Sequence, residues 1–244
     1  MTLTRLLPWL ITAFSLLAIP AAAQEISVSL GEGGSLTARS LQLLVLISVL
    51  SLAPGIAIMV TCFPFIVTVL SILRQALGLQ QSPPNMLIVS LALFLTYFVM
   101  EPVFTAAWEG GISPLLNEEI DVETAFERTM DPFRGFMANR VDPETLKAIA
   151  DLRPDTAAAG ADAEAPLSVL IPSFMLSEIS RAFQIGFLVF LPFLIIDLVV
   201  AAVLMSMGMM MVPPAIVSLP FKLAFFVVAD GWSLIAGSLV RSYF

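Results

Sequence analysis

Residues 41–73 run through leucine, isoleucine, valine and phenylalanine without one charged side chain. That length exceeds the roughly 20 apolar residues that cross a bilayer core. Pro54-Gly55 and Pro64 fall inside the run, and a helical proline removes one backbone donor and crowds the preceding turn. A kinked span or a helical hairpin is therefore expected, not one straight rod. The run is no exception in this chain: of 244 residues, 59% are hydrophobic and 12% charged, and an average soluble domain carries about twice that share of charge. The chain is read as all-α and as an integral membrane protein or part of a membrane complex.

Several classes of chemistry drop out at once. With no histidine and a single cysteine, a zinc or haem centre, a histidine-based triad and a disulfide have no residues to build them. No metal and no cofactor is expected. Cys62 lies within the apolar run and reads as a small buried hydrophobe. A net charge of -8 disfavours nucleic acid as a partner. The stretch Gly31-Glu32-Gly33-Gly34 lacks the Gly-Lys-Ser/Thr ending of a phosphate loop and reads as a connector.

Five segments follow along the chain. Residues 1–23 have the form of a secretory signal peptide: Arg5, an apolar core, then Ala21-Ala22-Ala23 before the expected cut. Residues 24–40 form an extracytoplasmic arm, and residues 41–107 a first apolar hairpin region with a turn across residues 73–85, where Arg74 is the only charge and faces the cytoplasm. Glu101-Pro102 and Trp108 close the second apolar run of that region. Residues 108–166 hold most of the acids together with five bases and read as an extracytoplasmic, mostly helical module. Within it Val122, Phe126, Met130, Phe133 and Met137 recur at helical spacing, with a break expected at Asp131-Pro132. Asp142 with Pro143 after it has the form of a helix cap followed by a first-turn proline, and residues 156–165 read as mobile. Residues 167–244 return to apolar sequence.

Inside that last segment five methionines fall within seven residues, Met205, Met207, Met209, Met210 and Met211, around Gly208 and before Pro213-Pro214. Methionine is unbranched and polarizable, so a cluster makes a soft surface that closes against different shapes. A deformable apolar loop between two stiffer helices is expected, able to seal a pore and to yield to a passing chain; an ordinary lipid-buried turn is the plainer reading. Charges flank it. Glu178 and Lys222 are of opposite sign on either side of the loop, and Arg181, one turn from Glu178, is the competing partner. Asp197 and Asp230 are further candidate buried polar groups, either paired or, less simply, members of a proton relay.

Three stretches carry a family resemblance: residues 74–103, with Arg-Gln-Ala-Leu-Gly-Leu-Gln-Gln-Ser-Pro-Pro-Asn and Ala-Leu-Phe-Leu-Thr-Tyr-Phe-Val-Met-Glu-Pro-Val; residues 174–197; and residues 204–232. The chain resembles the FliP family of flagellar biosynthetic proteins of the type III export gate, whose injectisome relatives share the same core. The resemblance implies a non-enzymatic, pore-forming subunit in the bacterial inner membrane at the flagellar basal body. Copies, five in the family pattern, would assemble with the companion Q and R export-gate proteins into a helical cone through which unfolded flagellar substrates pass. It implies that Met205 to Met211 act as a gasket and that Glu178 and Lys222 pair between subunits. It also implies that much of the apolar surface is buried in partner subunits, where hydropathy alone reads contact with membrane lipid. An ion-coupled transporter or channel and a non-conducting membrane scaffold are the rival readings.

Overall fold

The computed structural model describes residues 36–79, 82–152 and 165–244. The expected signal peptide, nearly all of the arm, the glycine connector and residues 156–164 of the expected mobile stretch lie outside the described residues. Every regular element among the described residues is helical: α1 (Leu36–Met59), α2 (Phe63–Ala76), α3 (Asn85–Ala107), a π-helical turn (Trp108–Ile112), α4 (Ser113–Leu116), α5 (Val122–Arg140), α6 (Pro143–Ala150), α7 (Leu167–Ser206), α8 (Pro214–Val228) and α9 (Gly231–Arg241). Three helical stretches, Ser40–Met59, Asn85–Leu116 and Leu167–Ser206, are long and apolar enough to cross a membrane, and α8 and α9 reach that length only as a pair, bent by 61° at their break.

The chain divides into two compact units, Met1–Ser51 and Leu52–Phe244. The described part of the first is the opening stretch of α1. Its successive residues Leu43, Leu44, Val45, Leu46 and Ile47 are all exposed, so the helix is apolar right round and is built to be covered on every side.

The second unit is organised on α2. Phe65, Ile66, Val69, Leu70, Leu73 and Ala76 are all fully buried. Pro64 stands in its first turn, where the missing N–H is not needed. The run across residues 41–73, expected as a kinked span or a helical hairpin, is therefore not one rod but two helices divided at residues 60–62, with Pro54 inside α1. At 14 residues, or about 21 Å, α2 is too short to cross a bilayer and serves as a core helix. After Ala76 the chain turns at Gly78, whose φ of 75° suits glycine. Arg74 ties this turn to α3 by donating to the Asn85 Oδ1.

Against α2 lies α7, 40 residues long and so about 60 Å from end to end, twice the roughly 30 Å of a hydrocarbon core. They cross at Gly186, where a Cβ would sit 2.3 Å from Ile72 Cδ1. Pro172 and Pro192 are inside α7, yet the helix continues. The buried Leu170, Phe174 and Phe193 beside them each contribute about 1.5–3 kcal/mol by leaving water, which offsets the ~3 kcal/mol of a helical proline. The same holds for α5: the break expected at Asp131-Pro132 does not occur, and Val122–Arg140 is one helix with Pro132 inside. Its last turns anchor it, with Met137 fully buried and Phe133 and Phe136 packed on the core.

A second apolar cluster joins the acidic module to α7. Met137 of α5, Leu146 and Ala150 of α6, and Val169, Leu170 and Phe174 of α7 meet there. The expected cap of α6 is present. Asp142 Oδ2 accepts from the Thr145 amide at 2.9 Å and the Thr145 hydroxyl at 2.7 Å, and Pro143 follows in the first turn. These donors, hydroxyl first, hold the Asp142 carboxyl below its ordinary value. A folded-state pKa below the unfolded one contributes stability that is complete above the unfolded pKa and is lost as pH falls through the folded one. The protection factor of the Thr145 amide, its exchange rate relative to an unstructured amide at the same pH, is expected to fall as pH drops below the usual carboxylate range, with Asp142→Ala showing the low protection at all pH values and Asp142→Asn nearly normal protection. An unchanged profile in Asp142→Ala would remove the cap's role.

Candidate functional site

The methionine stretch begins as helix and ends as loop. Met205 and Ser206 are the last residues of α7, Met207 is its C-cap, and Gly208 follows with a φ of 75°. The Met209 amide donates to the Leu204 carbonyl at 3.0 Å and the Gly208 amide to the Met205 carbonyl at 3.0 Å. This 6→1 plus 5→2 pair is the Schellman motif, which satisfies carbonyls left open at a helix end and prefers glycine at the left-handed position. Gly208 thus fixes a sharp stop more than it loosens the chain. Pro213 then caps α8 and Pro214 sits in its first turn, so the proline pair starts a helix as well as barring one before it.

Several of the loop's side chains are left uncovered by their own chain. Met210 is 82% and Met211 98% exposed, and Met205 and Met207 are also well exposed. Met207 and Met209 reach the mouth of an apolar cleft of about 540 Å³ between α7 and α8, lined also by Val199, Val203, Leu204 and Phe221. Beneath the cleft the two helices are locked by charge. Lys222 Nζ lies 2.7 Å from Asp197 Oδ2, and Ser218 donates to Asp197 Oδ1 at 2.6 Å. Lys222 also donates to the Ala76 carbonyl at 3.1 Å, a cation at the negative end of α2. One buried ammonium therefore holds α7, α8 and α2 together.

A second cluster lies nearer the other end of α7. The Glu178 side chain is fully buried. Arg140 Nε donates to its Oε1 at 3.1 Å, Arg181 Nη1 to the same oxygen at 3.1 Å, and the Tyr243 hydroxyl to Oε2. Arg140 Nη2 also stands 3.1 Å from Oε1 but is not aligned for a hydrogen bond. Nη1 of Arg140 donates to the Ser242 carbonyl at 2.8 Å, and the guanidinium stacks 4.0 Å over the Tyr243 ring. Module, long helix and chain end are joined at this point.

Some of the residues singled out from sequence meet and others do not. Within the chain Glu178 and Lys222 do not pair: Glu178 takes Arg140, Arg181 and Tyr243, and Lys222 takes Asp197. The competing partner, Arg181, is the one that engages Glu178. Asp197 is polar and partly buried as expected, but Asp230 is exposed. It sits at the bend between α8 and α9 with a φ of 47° and accepts from the Ser233 hydroxyl at 3.1 Å. Sequence reasoning missed Arg140 and Tyr243, which lie 38 and 65 residues from Glu178. In the sequence Arg140 was only one of the five bases of residues 108–166; the structure places it in the last turn of α5.

The model of the FliP family matches residues 46–239, from within α1 to within α9. The chain belongs to the FliP family. Among similar FliP proteins, the "Flagellar biosynthetic protein FliP" of Caulobacter vibrioides is 54% identical over 92% of this chain and 85% of its own length. The protein of the same description from Agrobacterium fabrum is 47% identical over 96% of this chain and 98% of its own. That of Bacillus subtilis is 44% identical over 84% of this chain and 92% of its own. The FliP match includes the whole of α7, the methionine loop and both charge clusters, apart from Ser242 and Tyr243.

Proposed function

We propose that this chain is a pore-forming subunit of the flagellar type III protein export gate in the bacterial inner membrane. Several copies, five in the family pattern, stand with the companion Q and R proteins around one channel, and their methionine loops close it until an unfolded export substrate pushes through. The acidic module lies on the extracytoplasmic side. The single observation that carries this reading is a cluster of thioether side chains, 60% to 98% exposed at Met205, Met207, Met210 and Met211, hung from a helix stop of fixed geometry. Apolar side chains held out in this way need a cover, and flexible ones give a cover that yields without breaking bonds.

The charged residues support this reading over an ion relay. Asp197 is held by Lys222 and Ser218, and Asp230 accepts from Ser233 at the exposed start of a helix. Both serve the helix frame that carries the loop. Deleting Met209 to Met211 tests the proposal: membranes holding the variant are expected to leak small solutes while the protein still reaches the membrane in normal amount. Tight membranes with a normal amount of the variant would sink the gate reading and favour a scaffold.

A further inference from the structure

The apolar stripe of α5 outruns its cover. Val122, Phe126, Met130, Phe133 and Met137 follow one another along one side of the helix. At the C-terminal end the stripe is packed, with Met137 fully buried and Phe133 against the core. At the N-terminal end it is bare: Val122 is 73% and Phe126 62% exposed. The neighbouring face is occupied, because Ala125 and Thr129 press on the π-helical turn at Gly111. On the other side stand Glu123 and Glu127, one turn apart, exposed and without an ion-pair partner among the described residues.

Charge selects the occupant. Residues 109–151 carry ten acids against Arg128, Arg134, Arg140 and Lys147, a net charge of -6. Of the four bases, Arg140 is engaged by Glu178 and Arg134 donates to the Ala165 carbonyl at 2.6 Å. A second copy's module would bring like charge to the patch, and an anionic bilayer surface would be repelled in the same way. A partner with apolar residues flanked by lysine or arginine matches both the bare stripe and its acidic edge. We propose that Val122 and Phe126, with Glu123 and Glu127 beside them, seat a basic amphipathic helix of another protein, packed face to face on the first turns of α5. The stripe is thereby completed by a partner along the half that this chain does not cover.

The test places a photoreactive phenylalanine analogue at position 126 of the full chain in its native membranes, followed by mapping of the trapped segment. The expected adduct joins a different protein at a segment of apolar residues flanked by Lys or Arg. Its yield is expected to fall about tenfold in the pair Glu123→Lys with Glu127→Lys, and in wild-type background as salt rises from about 0.05 to about 0.5 M. Unchanged protection of the Thr145 amide shows that the module of the reversed variant is folded, and the salt series stands if it is not. An adduct to a second copy alone, to lipid alone, or none at all overturns the proposal, as does a yield indifferent to salt.

Discussion

Glu178→Ala is expected to be the most damaging single substitution in the chain. The carboxylate is fully buried and answers two guanidinium groups and a phenol. Its removal leaves Arg140, with a side chain only 14% exposed, held by the Ser242 carbonyl and an aromatic face alone. Stranding a buried charge costs about 3–5 kcal/mol, a large part of the 5–15 kcal/mol that holds an ordinary domain together. The amount of full-length protein in membranes should drop severalfold, and the thermal midpoint of what remains should fall in detergent. Exchanging charges discriminates between partners. Glu178→Lys with Lys222→Glu is expected to recover nothing, because lysine at 178 would face Arg140 and Arg181. Asp197→Lys with Lys222→Asp keeps the partners that the fold brings together and should recover part of the loss of either single change. Recovery by the first exchange would place the Glu178–Lys222 contact between copies and overturn the dominance of the intrachain pairs.

Gly111→Ala should come next in severity. A Cβ there would stand 2.1 Å from the Thr129 Oγ1, 2.7 Å from the Thr129 nitrogen and 2.8 Å from the Ala125 carbonyl oxygen. Two of these atoms are helix backbone, so α5 as a whole must back away from the π-helical turn. Inserting one carbon into a tight contact typically costs about 1–3 kcal/mol and more where backbone must shift. Thr129→Ala removes the nearest clash but leaves both backbone contacts, and is expected to rescue only a minor part. Gly135 supplies the control: nothing lies within 4 Å of a Cβ built there, so Gly135→Ala should stabilise α5 by roughly 0.5–1 kcal/mol. Thermal midpoints of the three variants, read in the same detergent, decide the matter; equal midpoints for the two glycine variants would mean that the close approach does not constrain the fold.

What the amino-acid order revealed, and what it hid, follows from the range of each interaction. The Asp142 cap, the turn after Ala76 and the apolar helices are settled by residues three or four apart, and pattern reasoning found them. Proline misled it once, at residue 132, because a local rule sets the cost of a helical proline while distant packing decides whether that cost is met. Long-range pairing was harder still. Opposite charges flanking a loop made Glu178 and Lys222 an obvious couple, yet within the chain each has its partners elsewhere: Lys222 in Asp197, 25 residues away, and Glu178 chiefly in Arg140 and Tyr243. Tyr243 had no local signature at all. The exposed half of the α5 stripe was visible as periodicity, but periodicity does not tell a face that is covered from one left bare.

The length of α7 turns it into a lever. From Glu178, fastened to the module and the chain end, to Ser206 at the loop is about 42 Å of continuous helix. With α8 carried along through the Lys222–Asp197 pair and the Lys222 bond to the Ala76 carbonyl giving way, a pivot of some 5° at the Glu178 end would sweep the loop through roughly 4 Å, close to the width of a methyl group. Small tilts at the one end are thus magnified into side-chain-sized strokes at the other, with every backbone bond of the rod intact.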